Sequence, residues 1–447
     1  MSPFNFVSLL LLAALFGFIN YRWIRLPRAI GLLVIALLVS VCVLLIDRAV
    51  PGSPLGYWSK RALNGLNLPH VFLDGALAFM LFAGSLHVNL AELRNNKWTV
   101  LALATAGVVI ATLLYAFGIW FVFAGAVPLS WCFVLGAILA PTDPIAIAGL
   151  LRRVGLPPAL ESIIAGESLF NDGVGVVVFT LALSIAEGQA GHIGGVTVAA
   201  EFLLQAAGGA LLGLVTGFIA YRAMRLIDEY NLELTISLAL VTVTYSIAQR
   251  FGMSGPIAVV VAGVLIGNHA TRYAMSELTR TNITTFWALV DELLNTLLFM
   301  LIGLELLSVD FGRMDPRAIG AGIVLAVLVR LISVTIPIVL LNLRRLNKGR
   351  GIAVLTWGGL RGGISVALAL SLPPSSSRDQ LLLVCYAVVI FTIVVQGLTM
   401  PWLITRLFGP QRQQFADDAT DGDDASEADD AADAPKAADG VKAAEPE

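Results

Sequence analysis

Apolar runs of roughly 20 residues recur along the whole chain, separated by short polar stretches. That length is what a helix rising 1.5 Å per residue needs to cross a hydrocarbon core of about 30 Å. Counting the runs gives thirteen spans, at about 4–21, 29–47, 69–89, 98–124, 129–151, 159–187, 195–223, 232–249, 255–270, 286–308, 318–343, 350–372 and 380–407. The pattern predicts an all-α polytopic membrane protein, with a transmembrane domain over 1–408 and a tail over 409–447. The first run has no basic segment before it and no small-residue cleavage site after it. It therefore reads as a span rather than a signal peptide.

Two of these runs are interrupted. The fifth contains Pro141-Thr142-Asp143-Pro144, where two prolines remove backbone donors on either side of a polar pair. A simple kink is the plainer alternative, but an ionisable residue at the weak point favours a true break. The twelfth contains Trp357-Gly358-Gly359-Leu360-Arg361-Gly362-Gly363, in which four glycines surround an arginine. The two runs are seven apart, so they traverse the membrane in opposite senses. That spacing suits an inverted repeat, spans 1–6 against 8–13, with two broken, crossing helices at the midplane. Such helices are the best sequence pointer to a transport site.

Composition agrees with the membrane reading. The chain is 57% hydrophobic and 13% charged, against about 25% charged in soluble domains. Cys42, Cys132 and Cys385 all lie in apolar runs and suggest buried thiols, with neither a disulfide framework nor a zinc spacing. Charge is unevenly placed. Residues 411–447 carry twelve acidic and three basic side chains, which reads as a solvated, disordered tail. Loops after odd-numbered spans hold 15 Lys/Arg and those after even-numbered spans hold 7. The positive-inside rule then puts the N-terminus outside and the acidic tail in the cytoplasm.

The candidate chemistry lies in Gly166-Glu167-Ser168-Leu169-Phe170-Asn171-Asp172-Gly173, inside the sixth span. A charged side chain at the centre of a bilayer costs roughly 2.5–3.5 kcal/mol on insertion scales and is usually there for function. Asp172 sits near the middle of the span. A carboxyl there can hold a proton or a hard cation, and holding one or the other couples their movements. Ser168 shares a helix face with Asp172, whereas Glu167 is rotated by about 140° and needs its own partner. Arg330, central in the eleventh span, is the expected one, because a lone buried arginine is costly. Asp143 and Arg361 sit at the two breaks with signs suited to helix termini: an acid for facing N-termini, a base for facing C-termini. Thr142 can offer an ion its hydroxyl or carbonyl oxygen. With Glu167 cancelled by Arg330, and Asp143 by Arg361, Asp172 is the one uncompensated charge. One such charge carries one monovalent cation one way and one proton the other, which is electroneutral exchange. Asp74, Asp291, Glu292 and Glu305 read either as a funnel lining or as paired structural groups.

These segments, together with Phe299-Met300-Leu301-Ile302-Gly303-Leu304-Glu305, resemble the sodium/proton exchangers, specifically the NhaP-type branch of the cation:proton antiporter-1 group. The resemblance runs from residue 1 to about 408. It implies a thirteen-span fold with core and dimerisation helices, a homodimer in the cell membrane, and an elevator-like alternating-access cycle. It also implies that Asp172 binds Na⁺ and protons, with Asn171 beside it. Thr142, Asp143 and Ser168 would ligate or support the ion, Glu167 and Arg330 would form a buried pair, and Arg361 would serve the second broken helix. Some relatives carry an acid in the third span where this chain reads Leu81-Phe82-Ala83-Gly84-Ser85. The expected partners are Na⁺, with Li⁺ or K⁺ as alternatives, and protons; no resident cofactor and no nucleic acid is implied. Two other classes fit the residues less well. An intramembrane aspartyl protease would use Asp143 and Asp172, but gives Asn171 and Arg330 no role. A cation channel would need a ring of ligands and no obligatory proton site.

Overall fold

The computed structural model describes residues 3–50, 75–143, 156–188, 195–270, 275–308, 315–340 and 348–408. The described residues are helical, with no strand among them. In chain order the helices are α1 (Pro3–Ile19), α2 (Arg28–Ala49), α3 (Leu77–Leu86), α4 (Leu90–Asn95), α5 (Lys97–Val122), α6 (Leu129–Ile138), α7 (Pro158–Ala186) and α8 (Gly195–Met224). They continue with α9 (Tyr230–Arg250), α10 (Gly255–Leu265), α11 (Glu277–Glu305), α12 (Pro316–Leu340), α13 (Lys348–Trp357), α14 (Gly363–Leu370) and α15 (Arg378–Phe408).

Local chemistry sets several of the boundaries. Asn89 and Ser254 cap α4 and α10 by accepting from Ala91 N and Ile257 N. Pro158 opens α7, where its missing N–H costs nothing. Each predicted interval contains helix among the described residues, and nine of the helices described are long and apolar enough to cross a bilayer. Three shorter apolar helices are α3, α6 and α10 with its continuation to Ala270. Span ten begins at Glu277 rather than 286, because the Ser276 side chain accepts from Thr279 N and extends the helix through polar residues that hydropathy excludes. Residues 144–151 of span five, Asp74 and the tail 409–447 lie outside the described residues. Cys132 and Cys385 are buried as expected; Cys42 is not, because its side of α2 is exposed and apolar, facing outward from the bundle.

The buried apolar residues form one large cluster and two smaller ones. The large cluster joins α1, α2, α5–α7, the second half of α11, and α12–α15. The second gathers α3, α8–α10 and the first half of α11 around Trp287, with Phe79, Phe82 and Phe286 against its ring. Its tightest seam is small-residue packing. Gly209, Gly213 and Gly217 on α8 meet Ser254, Ala258 and Ala262 at the same four-residue spacing around α10. A Cβ on Gly213 would overlap the Ala258 carbonyl, which is backbone and cannot turn aside. Gly213→Val is therefore expected to cost about 2 kcal/mol or more, lowering the melting temperature of the purified protein. Gly320, on an open face of α12, has nothing within 4 Å of a built Cβ. Gly320→Ala should leave stability unchanged or slightly raised.

Candidate functional site

The first break begins where α6 stops at Ile138. Residues 141–143 are not helical, and all four of Ala140, Pro141, Thr142 and Asp143 are buried. Pro144 has no N–H, so the Ala140 carbonyl lacks its helical partner for covalent reasons. The second break separates α13 from α14 at residues 358–362. There Gly359 N turns to the Thr356 carbonyl at 3.4 Å, which frees the Leu355 carbonyl that a continuous helix would engage.

The two breaks meet. Asp143 N donates to the Leu360 carbonyl at 2.8 Å. Arg361 Nη1 donates to the Ala140 and Pro141 carbonyls at 2.6 and 2.9 Å. The arginine thus satisfies the orphan acceptors at the C-terminal end of α6, where the helix dipole is negative. On the other side, the Asp143 carboxylate packs directly against Gly362, the N-cap of α14. That places an acid at the positive end of a helix, and leaves no room for a side chain at 362.

Helix α7 supplies the remaining groups. It runs unbroken through 166–173 and crosses beside the first break. Arg330 and Glu167 form a two-pronged pair, Nη1 to Oε1 at 2.6 Å and Nη2 to Oε2 at 3.0 Å, with both side chains over nine-tenths buried. The third arginine donor, Nε, takes the freed Leu355 carbonyl at 3.2 Å. Ser168 Oγ donates to the Thr142 carbonyl at 2.7 Å, and Asn171 Nδ2 donates to Thr142 Oγ1 at 2.8 Å. These two side chains, three residues apart on α7, hold Thr142 in its non-helical place. A cavity of about 10 Å³, near the size of one water, lies between Thr142, Ser168, Glu167 and Arg330. Asp172 is 7% exposed, and its Oδ1 is buried without a hydrogen-bond partner among the described residues. It sits within electrostatic reach of Asp143.

All eight predicted residues are therefore buried around one junction. The other acids differ. Glu292 is exposed and paired with Arg28, Glu305 is buried, and Asp291 bonds the amide of Asn295. The Leu81–Ser85 segment is buried in the core, where Ser85 Oγ donates to Phe82 O at 2.7 Å. Sequence reading missed Thr392, whose Oγ1 accepts from Arg361 N at 3.1 Å and pins the second break. It lies at the start of a π-helical turn, Thr392–Gln396, inside α15. Two polar residues four apart in an apolar run were the available signal.

Residues 9–406 match the family described as sodium/hydrogen exchanger, transmembrane. The chain is 41% identical over 424 residues to the Na⁺/H⁺ antiporter NhaP of Pseudomonas aeruginosa, covering 91% of this chain and 97% of that protein. It is 38% identical over 339 residues to the Na⁺/H⁺ antiporter NhaH of Halobacillus dabanensis, covering 74% of this chain and 81% of that one. Among solved structures, the sodium proton antiporter MjNhaP1 of Methanocaldococcus jannaschii at pH 8 superposes with a TM-score of 0.70. That match covers 91% of this chain and 98% of the other, and at 19% identity the likeness is one of fold.

Proposed function

We propose that this chain, which belongs to the transmembrane sodium/hydrogen exchanger family, is a secondary antiporter that exchanges Na⁺ for H⁺ across a membrane. The relatives that support this carry antiporter names, and nothing comparable supports the protease or channel readings. The observation that carries the site assignment is Asp172: a buried carboxylate oxygen with no hydrogen-bond partner, beside a break rich in oxygen ligands. An unpartnered buried acceptor is costly, and a proton or a cation would each relieve it. Cation and proton then compete for Asp172. The Thr142 carbonyl and hydroxyl, Ser168 Oγ and Asp143 are the oxygens available to complete a small-ion shell. Asn171 acts mainly by holding Thr142 in place.

Exchange is electroneutral in this reading. Glu167 is neutralised by Arg330, and Asp143 and Arg361 balance each other and the helix ends. Only Asp172 is left to alternate between proton and cation. The wider architecture is thirteen spans in two inverted repeats with crossing broken helices, working as a homodimer by an elevator-like motion in the cell membrane. The N-terminus is outside and the acidic tail is cytoplasmic, as the loop charges favour.

The test is transport by the purified chain in proteoliposomes carrying a pH gradient. Added Na⁺ should dissipate the gradient at a rate independent of an imposed membrane potential. A rate that follows the potential would overturn the charge assignment. No Na⁺-driven proton movement at any pH tested would overturn the antiporter itself.

A further inference from the structure

The site described above leaves one polar pair unused, Asp291 and Asn295 on α11. Three observations bring it to the junction. Leu298 packs directly on Gly363, the first residue of α14, next to the Gly362 that Asp143 touches. Asp291, Asn295 and Leu298 are spaced four and then three residues apart, so they share the helix face that meets the second break. Asp143 lies within electrostatic reach of Asp291, as it does of Asp172.

The pair is not a closed structural unit. Of the two adjacent acids, Glu292 is neutralised by Arg28 at the start of α2. Among the described residues Asp291 has only an amide: Asn295 Nδ2 donates to its Oδ1 at 3.0 Å and to its carbonyl at 2.9 Å. The other end of that amide, Asn295 Oδ1, is buried with no hydrogen-bond partner among the described residues, on a residue only 4% exposed. Accessibility falls along the face, from half-buried Asp291 to buried Asn295 to the buried Asp143 and Asp172. A negative charge at the open end and an unfilled oxygen acceptor further in are what a hard cation meets on losing part of its water.

We propose that Asp291 and Asn295 form a receiving station for the transported monovalent cation, with the Asp291 carboxylate drawing it in and Asn295 Oδ1 replacing a hydration oxygen before it passes to the Asp143–Asp172 pocket. The assignment rests on the antiporter reading. Two protein oxygens with the rest of the shell left as water make a weak stop, as transit requires. Both touch the cation only in transit; Asp172 remains the group that exchanges cation for proton.

The experiment measures the Na⁺ dependence of exchange in proteoliposomes for the full chain and for Asp291→Asn, Asp291→Glu and Asn295→Leu. Asp291→Asn should raise the KM for Na⁺ about fivefold, the order expected from one unit charge several ångströms away in a medium of intermediate dielectric. Vmax should stay within about twofold. The KM difference should shrink as choline chloride is added, because screening acts on the charge being tested. Asn295→Leu should raise KM without that salt dependence, and Asp291→Glu should restore the wild-type KM. An unchanged KM in active Asp291→Asn and Asn295→Leu variants overturns the station alone. So does a loss of Vmax and thermal stability at constant KM, which is the mark of a packing role. If Asp291→Asn does not fold, the Asn295→Leu and Asp291→Glu comparison decides. An unaltered protein with no Na⁺-driven exchange overturns the antiporter reading and this station with it.

Discussion

Asp172→Asn is expected to abolish Na⁺/H⁺ exchange, to below about 1% of the wild-type rate, while the protein still folds. The substitution keeps the shape of the side chain, removes its ability to carry a charge and replaces one carboxylate oxygen with an amide NH2. The other buried acid on this stretch of α7, Glu167, is held in a two-pronged pair with Arg330 and cannot take over. Asp143 packs against the N-cap of α14, so its charge is engaged by the helix end. Folding should survive because Asp172 Oδ1 makes no hydrogen bond that would be lost. An amide there can even shed the cost of a buried charge, so the melting temperature should hold or rise. The measurement pairs the proteoliposome flux with a thermal melt of the same preparation. Residual exchange of a tenth or more in a folded Asp172→Asn protein would move the carrier group elsewhere, with Asp143 the next to test.

The same residues show which parts of the site could be read from sequence. The Glu167–Arg330 pair was legible because it follows from cost alone: an arginine in mid-span needs an acid, and helical spacing turns Glu167 away from Asp172. The charged residues at the breaks were legible as such, but their partners were not. Arg361 reaches the Ala140 and Pro141 carbonyls, atoms that become neighbours only when two distant segments meet. Ser168 shows the limit of a helical wheel. Spacing groups it with Asp172, yet its hydroxyl is turned to the Thr142 carbonyl, and its working companion is Asn171, three residues on. Thr392 lay beyond hydropathy altogether, since one hydroxyl hardly alters an apolar run. Span ten began early for a related reason: a Ser276 cap and a polar first turn extend a helix without lengthening its apolar stretch. Cys42 was misplaced because residue type indicates apolar surroundings but does not distinguish the protein interior from the bundle exterior.

The second large effect is expected at the Glu167–Arg330 pair, and it should be unequal between the partners. Removing one member of a buried pair leaves the other as an uncompensated charge, at a cost of about 3–5 kcal/mol. Arg330→Met should reach the upper end. It strands the Glu167 carboxylate and also returns the Leu355 carbonyl to an unsatisfied state, undoing the link between α12 and the second break. It further removes the side chain that packs on Gly359. Glu167→Gln should cost less, because a glutamine keeps an acceptor for one guanidinium donor and the Leu355 bond persists. The double variant should be more stable than the sum of the two losses predicts, by about 2 kcal/mol, since neither charge is then left alone. The check is a double-mutant cycle on thermal unfolding of the purified protein. Strictly additive losses would mean that the two side chains are not energetically coupled. Exchange should fail in Arg330→Met even where folded protein is recovered. The stranded acid sits one residue from Ser168, against the cavity that Thr142 and Ser168 also line, and would compete with Asp172 for the cation. The pair therefore matters to transport through what it withholds: with Glu167 held by Arg330, the site keeps a single exchangeable charge.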